Sequence, residues 1–175
     1  MHILFVCTGN ICRSPTAERL AAAYIAHHRI PDFAASSAGT RAVIGHPIHP
    51  DAAVVLKKLG GDSSNFAARQ IKSKITSNVD LIITMTKEHR DIVLEAAPRQ
   101  LQRTFTLTEA AALASMDAAQ TLSDLAVLRP HLASQEQADI PDPIGQSPQC
   151  FEMLGSRIAD LLPPILELCR RSLRA

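Results

Sequence analysis

No stretch of this chain has the uninterrupted apolar length that a membrane-spanning helix needs, so a bilayer-embedded protein is not expected. Charge of one sign is missing too. Eighteen lysines and arginines against seventeen aspartates and glutamates leave a formal net charge of +1, which provides no global field for nucleic acid or a membrane surface. Any positive site must therefore be local. The start lacks the charged n-region and apolar h-region of a secretory signal, so a cytoplasmic setting is the expectation. Cysteines are few, at positions 7, 12, 150 and 169, and do not form the dense framework of a small secreted domain. In a reducing compartment they are thiols. No internal repeat or low-complexity linker divides the chain. At 175 residues and 46% hydrophobic, it reads as one domain, 1–175, with a sizeable core.

What is present alternates between strand and helix patterns. HILFV, residues 2–6, is a short apolar run before a glycine-containing turn, and Pro15 opens the helical stretch PTAERLAAAYIAHHR where a missing N–H costs nothing. DFAASSAGT reads as a second strand, and HPDAAVVLKKLG as a helix ended by Gly60 and Gly61. VDLIITM is a third strand, followed by TKEHRDIVLEAAP, in which Thr86 caps a helix and Pro98 stops it. RTFTL reads as a fourth strand. The fold class is thus α/β, a four-stranded parallel sheet with helices on both faces. Thr108 to Leu132 adds one or two helices, and Pro148 to Leu168 a last helix interrupted at Pro163 and Pro164.

The loop after the first strand, CTGNICRS, carries the chemistry. Cys7 falls at the carboxyl end of a strand, where open parallel sheets bind their ligands. A loop running into a helix N-terminus turns backbone N–H groups inward, so amides, helix dipole and a bidentate Arg13 together stabilise a phosphate-sized anion. The same surroundings favour a thiolate, the form of cysteine that attacks phosphorus. Gly9 permits close backbone approach, Asn10 can bond the loop to itself, and Ser14 can donate to the sulfur. A bare C-x5-R is a loose pattern, and on its own reads as a buried cysteine beside a solvated arginine. The preceding strand, the internal glycine and asparagine, and the Ser-Pro that opens a helix favour the anion loop. The seven histidines form no ligand set with cysteine or carboxylate at metal spacing; neither a metal nor another cofactor is expected.

VCTGNICRSPTAE closely resembles the phosphate-binding loop of low-molecular-weight protein tyrosine phosphatases. SSAGT (36–40), ARQI (68–71), DLIITMTKEH (80–89) and DIPDPIG (139–145) match further segments of that family in the expected order. The resemblance implies phosphotyrosine hydrolysis through a cysteinyl-phosphate intermediate. In it Cys7 is the nucleophile, Arg13 the phosphate clamp and Asp142 the general acid, with Thr8, Gly9, Asn10, Ile11, Cys12, Ser14 and Ile144 forming the substrate site. The leaving phenoxide needs a proton, and sequence proximity leaves Asp139 as a competitor for that role. The implied partner is a phosphotyrosine-containing protein such as a tyrosine kinase, the implied state a monomer.

Several positions depart from the family pattern. Ile144 stands where an aromatic residue often follows Asp-Pro, the opposite wall at about Ala42 is also non-aromatic, and Phe66 replaces a histidine that braces the loop. Extra residues between Thr108 and Ala138 suggest a helical insertion around 108–138 acting as passive decoration. Related arsenate reductases share the loop but use further cysteines after the third strand, and between Val79 and Pro98 there are none. A non-catalytic phosphate-binding module would need neither thiolate nor acid. Protein arginine phosphatases tend to carry threonine where this chain has Ile11, which favours phosphotyrosine.

Overall fold

The computed structural model describes residues 1–132 and 138–173. Four strands, β1 (His2–Cys7), β2 (Ala34–Gly39), β3 (Leu81–Thr84) and β4 (Thr104–Thr106), form one sheet in the order β2-β1-β3-β4. All pairings are parallel, with Cys7 opposite Gly39, Leu4 opposite Ile82 and Thr84 opposite Thr106. The helices are α1 (Arg13–His27), α2 (Pro50–Lys58), α3 (Ser73–Thr76), α4 (Lys87–Ala96), α5 (Leu107–Ala114), α6 (Leu122–Leu128) and α7 (Pro148–Ser172).

Alternation along β1 sorts its side chains between two cores. Ile3, Phe5 and Cys7 point to the side covered by α1, α5 and α7, packing with Ala17, Ala21, Leu113 and Ile158. Leu4 and Val6 point to the other side, against Ile82 and Val93 of α4. Both faces of the central strands are therefore dry, which is why β1 and β3 read as continuous apolar runs rather than alternating ones. Each fully buried large side chain, such as Phe5 or Leu4, contributes about 1.5–3 kcal/mol. A third cluster, including Ile48, Val55 and Phe151, joins α2 to α7.

Three sequence expectations change. The first helix begins at Arg13, so Pro15 lies within the first turn, where its missing N–H still goes unneeded. The last helix is not interrupted: α7 runs through Pro163 and Pro164 to Ser172. Leu162, Ile165, Leu166, Leu168 and Cys169 are buried beside them while Pro163 is exposed. The bonds forfeited by proline thus lie on the outer side, where water can satisfy the freed carbonyls. Finally, α5 is no surface decoration. A capping box formed by Thr106 and Glu109 opens it, and all but one of its residues are buried. The more peripheral α6 buries only Leu125. Residues 133–137 of the expected insertion lie outside the described residues.

Candidate active site

The loop joining β1 to α1 closes on itself through one residue in the left-handed region. Asn10 has φ of 56° and is fully buried, a conformation that asparagine tolerates better than most non-glycine residues. Its side-chain amide donates to Ser14 Oγ (2.9 Å) and Ser37 Oγ (2.7 Å), and its carbonyl accepts from the Arg69 N–H (2.8 Å). Its backbone N–H points at Cys7 Sγ, 3.3 Å away. Ser14 Oγ lies 3.0 Å from the same sulfur. Asn10 and Ser14 therefore support the loop from behind, while its inner surface is left to the backbone. Behind them Ser37 donates to Glu18, extending the brace into α1.

The neighbouring chain continues this support. Thr40, Arg41 and Val43 donate from their backbone N–H groups to the carbonyls of Cys7, Thr8 and Gly9, prolonging the β1–β2 ladder past the sheet. Gly39 has no room for a side chain, since a Cβ would strike the Thr8 carbonyl. Gln70 clamps the wall segment, accepting from the Ala42 N–H and donating to the Thr40 carbonyl at 2.9 and 2.8 Å. Phe66 takes no part in bracing Asn10. It lies under the Arg19 guanidinium, 5.5 Å from its ring centroid, and the bracing expected of a histidine there falls to Ser37 and Arg69.

Arg13 is 4% exposed. Its Nη1 donates to the Ile140 carbonyl (2.9 Å), while Nη2 meets Asp142 Oδ2 (2.5 Å) and, more loosely, Thr8 Oγ1 (3.4 Å). Its buried Nε has no hydrogen-bond acceptor among the described residues, leaving a donor available to an anion. The segment bearing Asp142 is pinned by the Ile140 N–H to the Met85 carbonyl at 2.8 Å. Asp139 and Asp142 point different ways. Asp139 accepts from the Lys87 N–H at the start of α4 (2.9 Å), whereas Asp142, with a half-exposed side chain, faces Arg13.

A cavity of about 260 Å³ opens over this loop, lined by Cys7, Thr8, Gly9, Ile11, Cys12, Arg13, Arg41, Val43, Asp142 and Ile144. The expected residues thus converge, with one correction: the wall across from Ile144 is made by Val43 and Arg41. Ala42 is turned back against Gly39 instead. Sequence gave no signal for Arg41 or Val43. Burial foremost, then the neighbouring Cys7 and Asp142, pushes the Cys12 thiol up to about 12, so it stays protonated at neutral pH. His89, missed as a site residue although it stands in the TKEH motif, lies 2.8 Å from Thr8 Oγ1 through Nε2. Burial, then the Arg13 charge, pushes it down to about 4, which keeps it neutral.

Fold and pocket together define an α/β protein in which a loop thiol, an arginine and a carboxylate share one cavity. The chain belongs to the low molecular weight phosphotyrosine protein phosphatase family, whose model matches residues 2–174. It is 43% identical over 97 residues to the low molecular weight protein-tyrosine-phosphatase Wzb of Escherichia coli K12, a match covering 55% of this chain but only 63% of Wzb. The low molecular weight protein-tyrosine-phosphatase Etp of the same organism is 33% identical over 150 residues, covering 86% of this chain and 82% of Etp. Among solved structures, the arginine phosphatase YwlE, in a variant with a phosphorylated active-site serine, superimposes with a TM-score of 0.79 at 25% identity, covering 99% of both chains.

Proposed function

We propose that this protein is a protein tyrosine phosphatase that hydrolyses phosphotyrosine through a cysteinyl-phosphate intermediate. The observation that carries the reading is the shared pocket: Cys7 Sγ at its base, approached by an amide and a hydroxyl, with Arg13 and Asp142 above it. A phosphate entering the loop takes over the Arg13 donor now given to Asp142 and engages Nε, while Thr8 keeps its contact with the guanidinium. The Cys7 thiolate then attacks phosphorus, forming the S–P bond as the P–O bond to the phenol breaks. Asp142, displaced from Arg13 and protonated, gives its proton to the departing oxygen. In the second step water attacks phosphorus, the Asp142 carboxylate takes a proton from it, and the S–P bond breaks. The Ser14 hydroxyl, 3.0 Å from the sulfur, donates to the thiolate as it leaves.

The substrate is a phosphotyrosine-bearing protein, of which a tyrosine kinase is one kind. Its setting is the cytoplasm, where the thiols stay reduced, and it works as a monomer. No helix among the described residues is long and apolar enough to cross a membrane. The likeness to an arginine phosphatase favours a second reading, phosphoarginine hydrolysis. Against it stands Ile11, an apolar side chain lining the pocket where a guanidinium needs polar partners.

The test is turnover of matched phosphotyrosine, phosphoserine and phosphoarginine peptides, with arsenate reduction assayed in parallel. Phosphotyrosine is expected to lead, and Cys7→Ser to abolish turnover while preserving the fold. Asp142→Asn should slow substrates with poor leaving groups roughly 10²- to 10⁴-fold and those with acidic phenols far less. Equal slowing across the series would make Asp142 structural, while preference for phosphoarginine or arsenate would replace the substrate assignment.

A further inference from the structure

The side chain of Thr8 sits between two groups from distant parts of the chain. On one side His89 Nε2 lies 2.8 Å from its Oγ1, and on the other Arg13 Nη2 donates to the same oxygen at 3.4 Å. His89 is 4% exposed, and its Nδ1 has no hydrogen-bond partner among the described residues. Burying an imidazole with one nitrogen unsatisfied carries a free-energy cost, so the bond its other nitrogen makes must account for its placement.

That placement is fixed from three directions. The His89 backbone N–H donates to Thr86 Oγ1 (3.1 Å), which caps α4. Two residues earlier the Lys87 N–H donates to Asp139 Oδ1 (2.9 Å). The segment after Asp139 is tied to the end of β3 by the Ile140 N–H and to Arg13 by the Ile140 carbonyl. The first turn of α4 is therefore rigidly attached to the segment that carries Asp142, and His89 extends from that turn to the phosphate loop.

We infer that His89 is a positioning residue which locks the Thr8 hydroxyl so that its oxygen accepts from Arg13 and aims the guanidinium into the pocket. Either imidazole tautomer produces this arrangement. If Nε2 is unprotonated, Thr8 donates to it and keeps both lone pairs, one of them for Arg13. If Nε2 carries the proton, Thr8 accepts from both neighbours and its own proton is free to reach an anion. Either way the rotation of Thr8 is fixed and Oγ1 remains an acceptor for Arg13. Without His89 the hydroxyl turns freely, and Arg13 keeps only Ile140 and Asp142, of which Asp142 must release it when phosphate arrives.

This inference rests on the phosphatase reading, so the test uses inorganic phosphate, whose binding requires no turnover. Phosphate dissociation constants are measured calorimetrically for wild type, His89→Leu, His89→Gln, Thr8→Val and the double variant His89→Leu/Thr8→Val. The KM and kcat of an aryl phosphate are followed alongside. His89→Leu and Thr8→Val should each weaken phosphate binding and raise KM roughly five- to tenfold, the loss of about one hydrogen bond. The double variant should be no worse than the worse single one. His89→Gln, whose amide can reach the hydroxyl, should restore most of the affinity. Additive losses in the double variant, or equal losses for leucine and glutamine, would overturn the inference and leave His89 a space-filling residue. Unchanged affinity in Thr8→Val overturns it as well, even if His89→Leu does not fold. Failure of folded wild type to bind phosphate overturns this inference and the phosphatase reading together, whereas intact wild-type binding with uncoupled variants overturns this one alone.

Discussion

At Asn10 one side chain solves two problems that would otherwise need separate residues. Its backbone turns the loop through a left-handed conformation, and its amide joins the loop to Ser14, Ser37 and Arg69. A glycine there would make the turn but lose the brace. The walls of the pocket are less committed. Ile144 is 47% exposed and Val43 39%, so an aryl phosphate bound as proposed would meet aliphatic side chains of Ile144 and Val43 and gain dispersion without stacking. Ile144→Tyr should lower KM for aryl phosphates by about two- to tenfold, the worth of one aromatic contact, with kcat nearly unchanged. Steady-state kinetics on a single aryl phosphate decide it, and a raised KM would mean that the ring enters away from Ile144.

Among the elements, those surrounding the loop were the most legible. Apolar runs at HILFV and VDLIITM are long enough, and their flanking glycine and capping residues specific enough, to identify central strands and the helices that follow. Where tertiary burial overrides local preference, the reading changed. Pro163 and Pro164 indicate a break by local rules, yet α7 continues because its buried face is anchored by Leu162, Ile165 and Leu166 on either side. A prediction follows for this helix. Pro163→Ala returns a donor to the ladder at an exposed position and should stabilise the fold by about 2–2.6 kcal/mol, the helix penalty of proline less its entropic benefit in the unfolded chain. Urea unfolding measures this, and a loss of stability would show that the helix depends on the proline geometry. Similarly, the extra residues between Thr108 and Ala138 suggest decoration, yet α5, which begins that stretch, is buried. It is core because Glu109, 3% exposed, closes its capping box and pairs with Arg129, whose guanidinium lies 4.0 Å from the Phe105 ring centroid. Within the site, Cys7, Arg13 and Asp142 were readable from their motifs. His89, Arg41 and Val43 were not, because their parts depend on which surfaces the sheet brings together.

For the whole molecule, the pocket is where β1, α1, the segment after β2, the start of α4 and the segment before α7 meet. An anion held there engages the native state and not the unfolded chain, so binding and folding are linked. Phosphate at a hundred times its dissociation constant should raise the unfolding free energy by about 2.7 kcal/mol, read as a higher urea midpoint, and Arg13→Ala should remove most of that gain. A wild-type midpoint indifferent to phosphate would mean that the loop is not organised around an anion. The pair between Arg13 and Asp142, separated by 129 residues, has a consequence for synthesis. Ribosomes add about 5–20 residues per second, so on the order of ten seconds pass between the appearance of the thiol-bearing loop and that of its carboxylate. On the proposed mechanism, a nascent chain in that interval would carry the thiol without the carboxylate assigned to protonate a departing phenol.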